Sequence, residues 1–185
     1  MNLKSALEQL ATVDGQLVKV DRFLNHRVLP SVLRDVGHLM AQAIGTSADL
    51  IVTAEASGIP PAAAAAAALD IPYIYAKKYV GSAQRYTFGR EVASPTKGTE
   101  YRVEIARHLL GPGLRVAVVD DFLSQGRTAN ALGEIVEEAG STVEGMFFVI
   151  EKAFVGGRAM LADHGWPVHS LVIIQAIDTD EIIYA

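Results

Sequence analysis

The alternation of apolar and polar positions divides the chain into helix and strand units in a regular order. SALEQLA at 5–11 and SVLRDVGHLMAQAI at 31–44 carry apolar residues at helical spacing. Pro30 restricts the approach to the second helix, and Ser31 is a candidate to cap it. DLIVTAEASGIPPAAAAAAALDIPYIYAKKY then passes from a continuous apolar run to a loop, an Ala-rich helix and a second strand, the order of an α/β crossover. Pro60 and Pro61 fit the first turn of that helix, where a missing amide costs no hydrogen bond, and the alanines allow close packing. GLRVAVVDDFLSQGRTANALGEIVEEAGSTVEGMFFVIEK repeats the succession more clearly still. YRVEIARHLL reads equally as strand or helix. Residues 79–98 mix Gly, polar and aromatic positions without sustained period, as an exposed excursion or a hairpin able to act as a lid would. GGRAMLADHG and VHSLVIIQA add a short helix and a last strand. With no repeat or linker to divide it, the chain is expected to form a single domain over 1–185, an α/β fold with a mostly parallel sheet covered by helices.

Composition narrows the chemistry. Half of the 185 residues are hydrophobic, enough for one substantial core. Sixteen Lys and Arg against 21 Asp and Glu leave a formal charge of −5, which indicates neither disorder nor a nucleic-acid partner. The absence of cysteine excludes disulfides, thiolate catalysis and Cys-ligated zinc or iron–sulfur sites. His26, His38, His108, His164 and His169 are scattered without an HExxH pattern or close cluster, so neither a zinc protease nor a structural zinc site is indicated, although His or carboxylate metal sites stay open. The amino end carries charge throughout, and the Ala-rich tract stops at Asp70, short of the roughly 20 apolar residues of a membrane span. A cytoplasmic protein with no membrane partner is the expectation.

The chemistry gathers in VVDDFLSQGRT. Asp120 and Asp121 follow an apolar strand, where open α/β sheets hold their ligands. The amides of Ser124, Gln125, Gly126, Arg127 and Thr128 open a helix and can cradle a phosphate; Gly126 permits the turn, and the hydroxyls add donors. The plainer alternative is a pair of acids ending a strand before an ordinary polar helix start. Neither GxGxxG nor GxxxxGK[ST] is present. TAEASGIPP follows another strand, with Ala56, Ser57 and Gly58 in its loop; alone, it reads equally well as a connection into a buried helix.

VVDDFLSQGRT resembles the phosphoribosyl-pyrophosphate motif of the type I phosphoribosyltransferases. The resemblance implies that family's fold, with Asp120 and Asp121 facing ribose hydroxyls, residues 124–128 enclosing the 5-phosphate, and Ala56, Ser57 and Gly58 taking part in pyrophosphate binding. Arg127 departs from the pattern, since many members have a small residue there; its side chain must point outward or join the phosphate. Taken with VKVDRFLNHRVLP, EASGIPPA, YAKKY and VIEKAF, the resemblance runs from about residue 15 into the last strand and narrows to the bacterial branch acting on xanthine. It implies a base-covering hood from residues 1–30 that brings Val18 and Asn25, and Lys152 beside a purine oxygen or ring nitrogen. It further implies XMP formation in purine salvage, substrate-bound Mg2+ and a homodimer. The residues' own chemistry fits without singling out xanthine: Asn25 donates and accepts, Lys152 donates to an oxo group, and Phe122 or Phe154 offers an apolar wall. Lys77 and Lys78 suit either a pyrophosphate contact or a solvated edge. Hypoxanthine-guanine transfer and a non-catalytic phosphoribosyl-pyrophosphate sensor remain open as alternatives.

Overall fold

A computed structural model of the chain describes residues 1–79, 86–93, 100–179 and 181–185. The amino end forms α1 (Leu3–Leu10) and a small hairpin of β1 (Thr12–Asp14) and β2 (Leu17–Lys19). There follow α2 (Pro30–Ile44), β3 (Leu50–Ala54), α3 (Ile59–Leu69), β4 (Tyr73–Tyr79), β5 (Thr87–Ala93) and β6 (Glu100–Ala106). The chain continues through β7 (Arg115–Leu123), α4 (Arg127–Glu138), β8 (Thr142–Lys152), α5 (Gly157–Ala162), β9 (Val168–Asp178) and β10 (Glu181–Tyr184).

Eight strands form one sheet in the order β10-β9-β8-β7-β3-β4-β6-β5. β9, β8, β7, β3 and β4 run parallel, while β10, β6 and β5 join antiparallel. From β3 the chain crosses first to β4 and later to β7 on the other side. The strand order therefore reverses between β3 and β7, and the crevice at their carboxyl ends is where such sheets take ligands.

Local chemistry explains the elements. Pro30 occupies the first turn of α2, and the helix is capped by Leu29, which makes no side-chain capping bond. Ser31 is therefore inside the helix rather than its cap, because the preset φ of Pro30 starts the helix one residue earlier. The alanines of α3 do pack closely: a Cβ at Gly37 of α2 would lie 2.8 Å from the Ala64 carbonyl oxygen. YRVEIARHLL resolves into strand followed by a 3-10 turn at Arg107–Leu109. Pairing with β4 and β5 decides the matter, with Val103 and Ile105 buried on alternate positions of β6. Within 79–98, residues 87–93 are strand β5, hairpinned onto β6, while 80–85 and 94–99 lie outside the described residues.

Two hydrophobic clusters cover the sheet. One joins Val116, Val118, Leu132, Ile135, Met146, Phe148 and Trp166 beneath α4. The other joins Val119 and Ile150 to α2, α3 and the amino-terminal segment through Leu3, Leu7, Val18, Val20, Phe23 and Leu24. Phe23 and Leu24 have no exposed surface, and burying each side chain stabilises the fold by about 1.5–3 kcal/mol. The β5–β6 hairpin is clamped to α4. Arg90 donates to Glu134 Oε2 at 2.8 Å and Glu138 Oε2 at 2.6 Å, and Arg107 reaches Glu138 Oε1 at 3.0 Å.

Candidate active site

Two loops meet at the reversal of strand order. The first, residues 55–58 after β3, leads into α3; its Glu55–Ala56 peptide is cis. Glu55 fastens it to the neighbouring strand, accepting from the Lys78 amide at 2.6 Å while its own N–H reaches the Ala76 oxygen at 3.0 Å. Gly58 lies against β7: a Cβ there would collide with Thr53 Oγ1 and Asp120 Oδ1. A side chain at 58 would thus push the acid at the end of the adjacent strand.

The second loop follows β7. Gly126 adopts φ 76°, a conformation glycine reaches without steric cost, and the helix begins at Arg127. The loop is supported from behind by Gly157, whose N–H donates to the Ser124 oxygen at 3.0 Å. A Cβ on Gly157 would collide with that oxygen and with Gly126 N, so α5 can approach only as glycine. Arg158 then holds the start of α5 in place, pairing through Nε with Glu151 Oε1 at 2.8 Å and through Nη1 with the Val168 oxygen at 2.8 Å. Glu151 is almost fully buried, which by itself raises a carboxyl pKa; the bonds from Arg158 and Ser170 outweigh this and hold it below its ordinary value.

Asp120, Phe122, Ser124, Gln125, Gly126, Arg127 and Thr128 share one cavity of about 140 Å³. It is smaller than the roughly 300–1,000 Å³ of a site for a whole drug-sized ligand. The two acids differ. Asp120 faces the cavity, where burial and the adjacent Asp121 charge push its pKa well up, against smaller opposing effects of the Asp121 amide and of Lys78. Asp121 is 7% exposed and accepts from Asn25 Nδ2 at 2.9 Å, a contact across 96 residues of sequence. Its amide donates to Asp120 Oδ1 at 3.0 Å.

The base-end candidates are less closely joined. Asn25 sits in the turn after Phe23 and Leu24, with its N–H bonded to the Val20 oxygen at 3.3 Å and its Oδ1 buried without a partner among the described residues. Val18 is 5% exposed and packs into the second hydrophobic cluster, so its side chain belongs to the hood's interior. Lys152 ends β8 with its ammonium 5.9 Å from the Phe122 ring centroid, and burial holds its pKa below the ordinary value. Phe154 lies farther out, 37% exposed. The exposed side chain of Arg127 donates to the Ala93 oxygen at 3.1 Å, tying the loop to the end of β5, which lines the same cavity. Tyr101, Gly157 and the Glu151–Arg158 pair carry no motif that singles them out. Only the small GGR run after VIEKAF hints at the last two.

The phosphoribosyl transferase domain family matches residues 26–153, which span both loops and both acids. The chain belongs to this family. It is 41% identical over 180 residues to a xanthine phosphoribosyltransferase of Chloroflexus aurantiacus, covering 96% of this chain and 85% of that protein. It is 38% identical to a xanthine phosphoribosyltransferase of Laribacter hongkongensis, covering 97% and 96%. Among solved structures, an adenine phosphoribosyltransferase of Rhodothermus marinus superposes with a TM-score of 0.75 at 26% identity, covering 92% of this chain and 97% of that one. The mostly parallel sheet with antiparallel edges is thus that of a phosphoribosyltransferase, and the chain is an enzyme of this class. Among the described residues, no helix is long and apolar enough to cross a membrane.

Proposed function

We propose that the protein transfers ribose 5-phosphate from phosphoribosyl pyrophosphate to N9 of xanthine, forming XMP and releasing pyrophosphate. The observation that carries this reading is the junction of Asp120, the 124–128 loop and Gly58 at the reversal of strand order, in a chain whose 37–41% identical relatives are xanthine phosphoribosyltransferases. The reaction breaks the bond from ribose C1 to the pyrophosphate oxygen and makes the bond to N9, through a transition state with positive character at C1. Such a site accelerates the reaction by holding both partners in line and by stabilising the charge that develops in the transition state.

In this reading the amides and hydroxyls of residues 124–128 hold the 5-phosphate, Arg127 through its backbone. Asp120 accepts from a ribose hydroxyl, while Asp121 keeps Asn25 oriented. Ala56, Ser57 and Gly58 lie where the pyrophosphate leaves. The hood covers the base, Asn25 presenting its amide and Val18 backing the cover from within, with Lys152 beside a purine oxygen or ring nitrogen. Lysine offers only donors, so Lys152 suits an oxo group better than the exocyclic amine of adenine. Its half-buried setting strengthens that preference, because the ammonium gains most from an acceptor when water is scarce.

Mg2+ fits as a passenger of the substrate. Among the described residues, no group of three His, Asp or Glu could form a protein cage, and Mg2+ commonly keeps its waters and binds through one or two carboxylates plus substrate phosphates. Asp120 is the carboxylate that would reach such an ion, which neutralises charge on the departing pyrophosphate. A homodimer working in the cytoplasm completes the proposal.

The test is product analysis with purified protein, Mg2+ and phosphoribosyl pyrophosphate, offering xanthine, guanine, hypoxanthine and adenine in parallel. XMP formation with the highest kcat/KM for xanthine is expected. Preference for hypoxanthine or guanine, or binding of the sugar donor without turnover of any base, would replace this reading with one of its two rivals.

A further inference from the structure

The wall facing the 124–128 loop comes from the β5–β6 hairpin, through Val92, Ala93 and Tyr101. The Tyr101 ring packs against the first hydrophobic cluster, and its hydroxyl lies 2.8 Å from Thr128 Oγ1. Lys78 Nζ stands 5.1 Å from the centroid of the same ring. A tyrosine used only for packing needs no more than its ring. This one places its oxygen on the Thr128 hydroxyl in the first turn of α4, at a cavity that the 124–128 loop lines together with Asp120 and the apolar Val92, Phe122 and Phe148. Two hydroxyls in contact own two protons; one lies between the oxygens, and the other is left to point at an acceptor. Each bond polarises the next, so the outer proton is a better donor than that of a lone hydroxyl.

The distance is set from outside the cavity. Arg90 of β5 is shared between Glu134 and Glu138 on one face of α4, and Arg107 joins Glu138 just after β6. These bonds set the hairpin's position along α4, and with it the separation of Tyr101 and Thr128. We propose that Tyr101 completes the 5-phosphate pocket, its hydroxyl and that of Thr128 acting as one unit that donates a single hydrogen bond to a phosphate oxygen, with Arg90 as the positioning residue. The proposal rests on the reading of residues 124–128 as the phosphate loop.

The test is calorimetric titration of ribose 5-phosphate into Y101F, T128V and the double variant. It needs no turnover, so a protein that binds ribose 5-phosphate yet forms no XMP fails the functional reading and not this one. Y101F is expected to weaken ribose 5-phosphate binding about three- to tenfold, the range of one lost hydrogen bond. Pyrophosphate binding stays at its wild-type value, and the melting temperature falls by no more than about 2–6 °C, the cost of the one bond to Thr128. KM for phosphoribosyl pyrophosphate rises with kcat within about twofold, because the contact is the same in ground and transition states. The double variant loses no more than about twofold beyond the worse single, since both remove the same proton chain. Unchanged ribose 5-phosphate affinity in Y101F, or losses that multiply in the double variant, overturns the proposal. Arg90→Met is expected to weaken ribose 5-phosphate binding when Tyr101 is present and to add nothing in Y101F. An equal loss in both backgrounds removes Arg90 from it.

Discussion

The phosphate end and the base end of the cleft are built by different means. At the phosphate end, the backbone makes the site: a left-handed glycine at 126, a glycine at 157 pressed against the loop, and amides at a helix start. Few side chains are needed, and their neighbours hold the loop before any ligand arrives. At the proposed base end, side chains from distant parts of the sequence come together, with Asn25 reaching Asp121 and Lys152 standing beside Phe122. The first end is defined by shape and resists even one added methyl group. The second is defined by which donors and acceptors are presented, so substitution there should redirect the enzyme rather than disable it.

Gly157→Ala breaks that contrast most severely. Its new Cβ meets backbone atoms of Ser124 and Gly126 that have no room to withdraw, an overpacking of about 1–3 kcal/mol concentrated in the phosphate loop. A fall of about 10- to 100-fold in kcat/KM for phosphoribosyl pyrophosphate is expected, with the preference among purines unchanged. Steady-state kinetics with each substrate varied in turn would show it; a specific loss against xanthine would contradict the division between the two ends.

Asp120→Asn sharpens the comparison on the shared strand. Removing a charged acceptor for a ribose hydroxyl should cost about tenfold or more in kcat/KM. Stability should move the other way. The Asp120 pKa is raised above the ordinary 3.8 by burial and by Asp121, so its stabilising contribution is complete below that value and is lost as pH rises through the folded-state pKa. At neutral pH the raised pKa therefore makes this carboxyl a liability to the fold, and the variant should melt higher than the wild type, with the gain vanishing near pH 4. Calorimetric melts of the free protein from pH 4 to 8 check this; a variant less stable at every pH would refute the assigned sign.

Lys152→Ala is expected to lower kcat/KM for xanthine by about tenfold while leaving KM for phosphoribosyl pyrophosphate within about twofold, the loss of a charged donor to an oxo group. Uniform retention of all four bases would remove Lys152 from recognition. The smallest effect belongs to Arg127→Ala. Its guanidinium reaches the Ala93 oxygen on the surface, and its amide survives the substitution, so a change of about threefold or less is expected in KM for phosphoribosyl pyrophosphate. A tenfold rise would mean the side chain turns inward to the phosphate.

The residues that sequence made legible are those whose role is local. An apolar run, two acids, a glycine and a helix start lie within 116–128, and their meaning is set by bonds over a few positions. Tyr101 was hidden for the opposite reason. Its segment reads as strand or helix until β4 and β5 pair with it, and its partner stands 27 residues away. Ser31 does not cap α2, because the preset φ of Pro30 opens the helix one residue earlier and outweighs the serine's preference for a cap.

Hydrophobic patterning was thus enough to indicate an α/β chain, and the VVDDFLSQGRT motif to point to a glycine turn and helix start after a strand, because period and helix-start chemistry are properties of neighbouring residues. Tertiary structure alone separated the two acids, turning Asp120 to the cavity and Asp121 to Asn25, and brought Gly157 and Tyr101 to opposite sides of one loop. Such choices depend on which strands become neighbours and which side chains bury together. Both are settled by the packing of the whole chain, and no short stretch of it carries them.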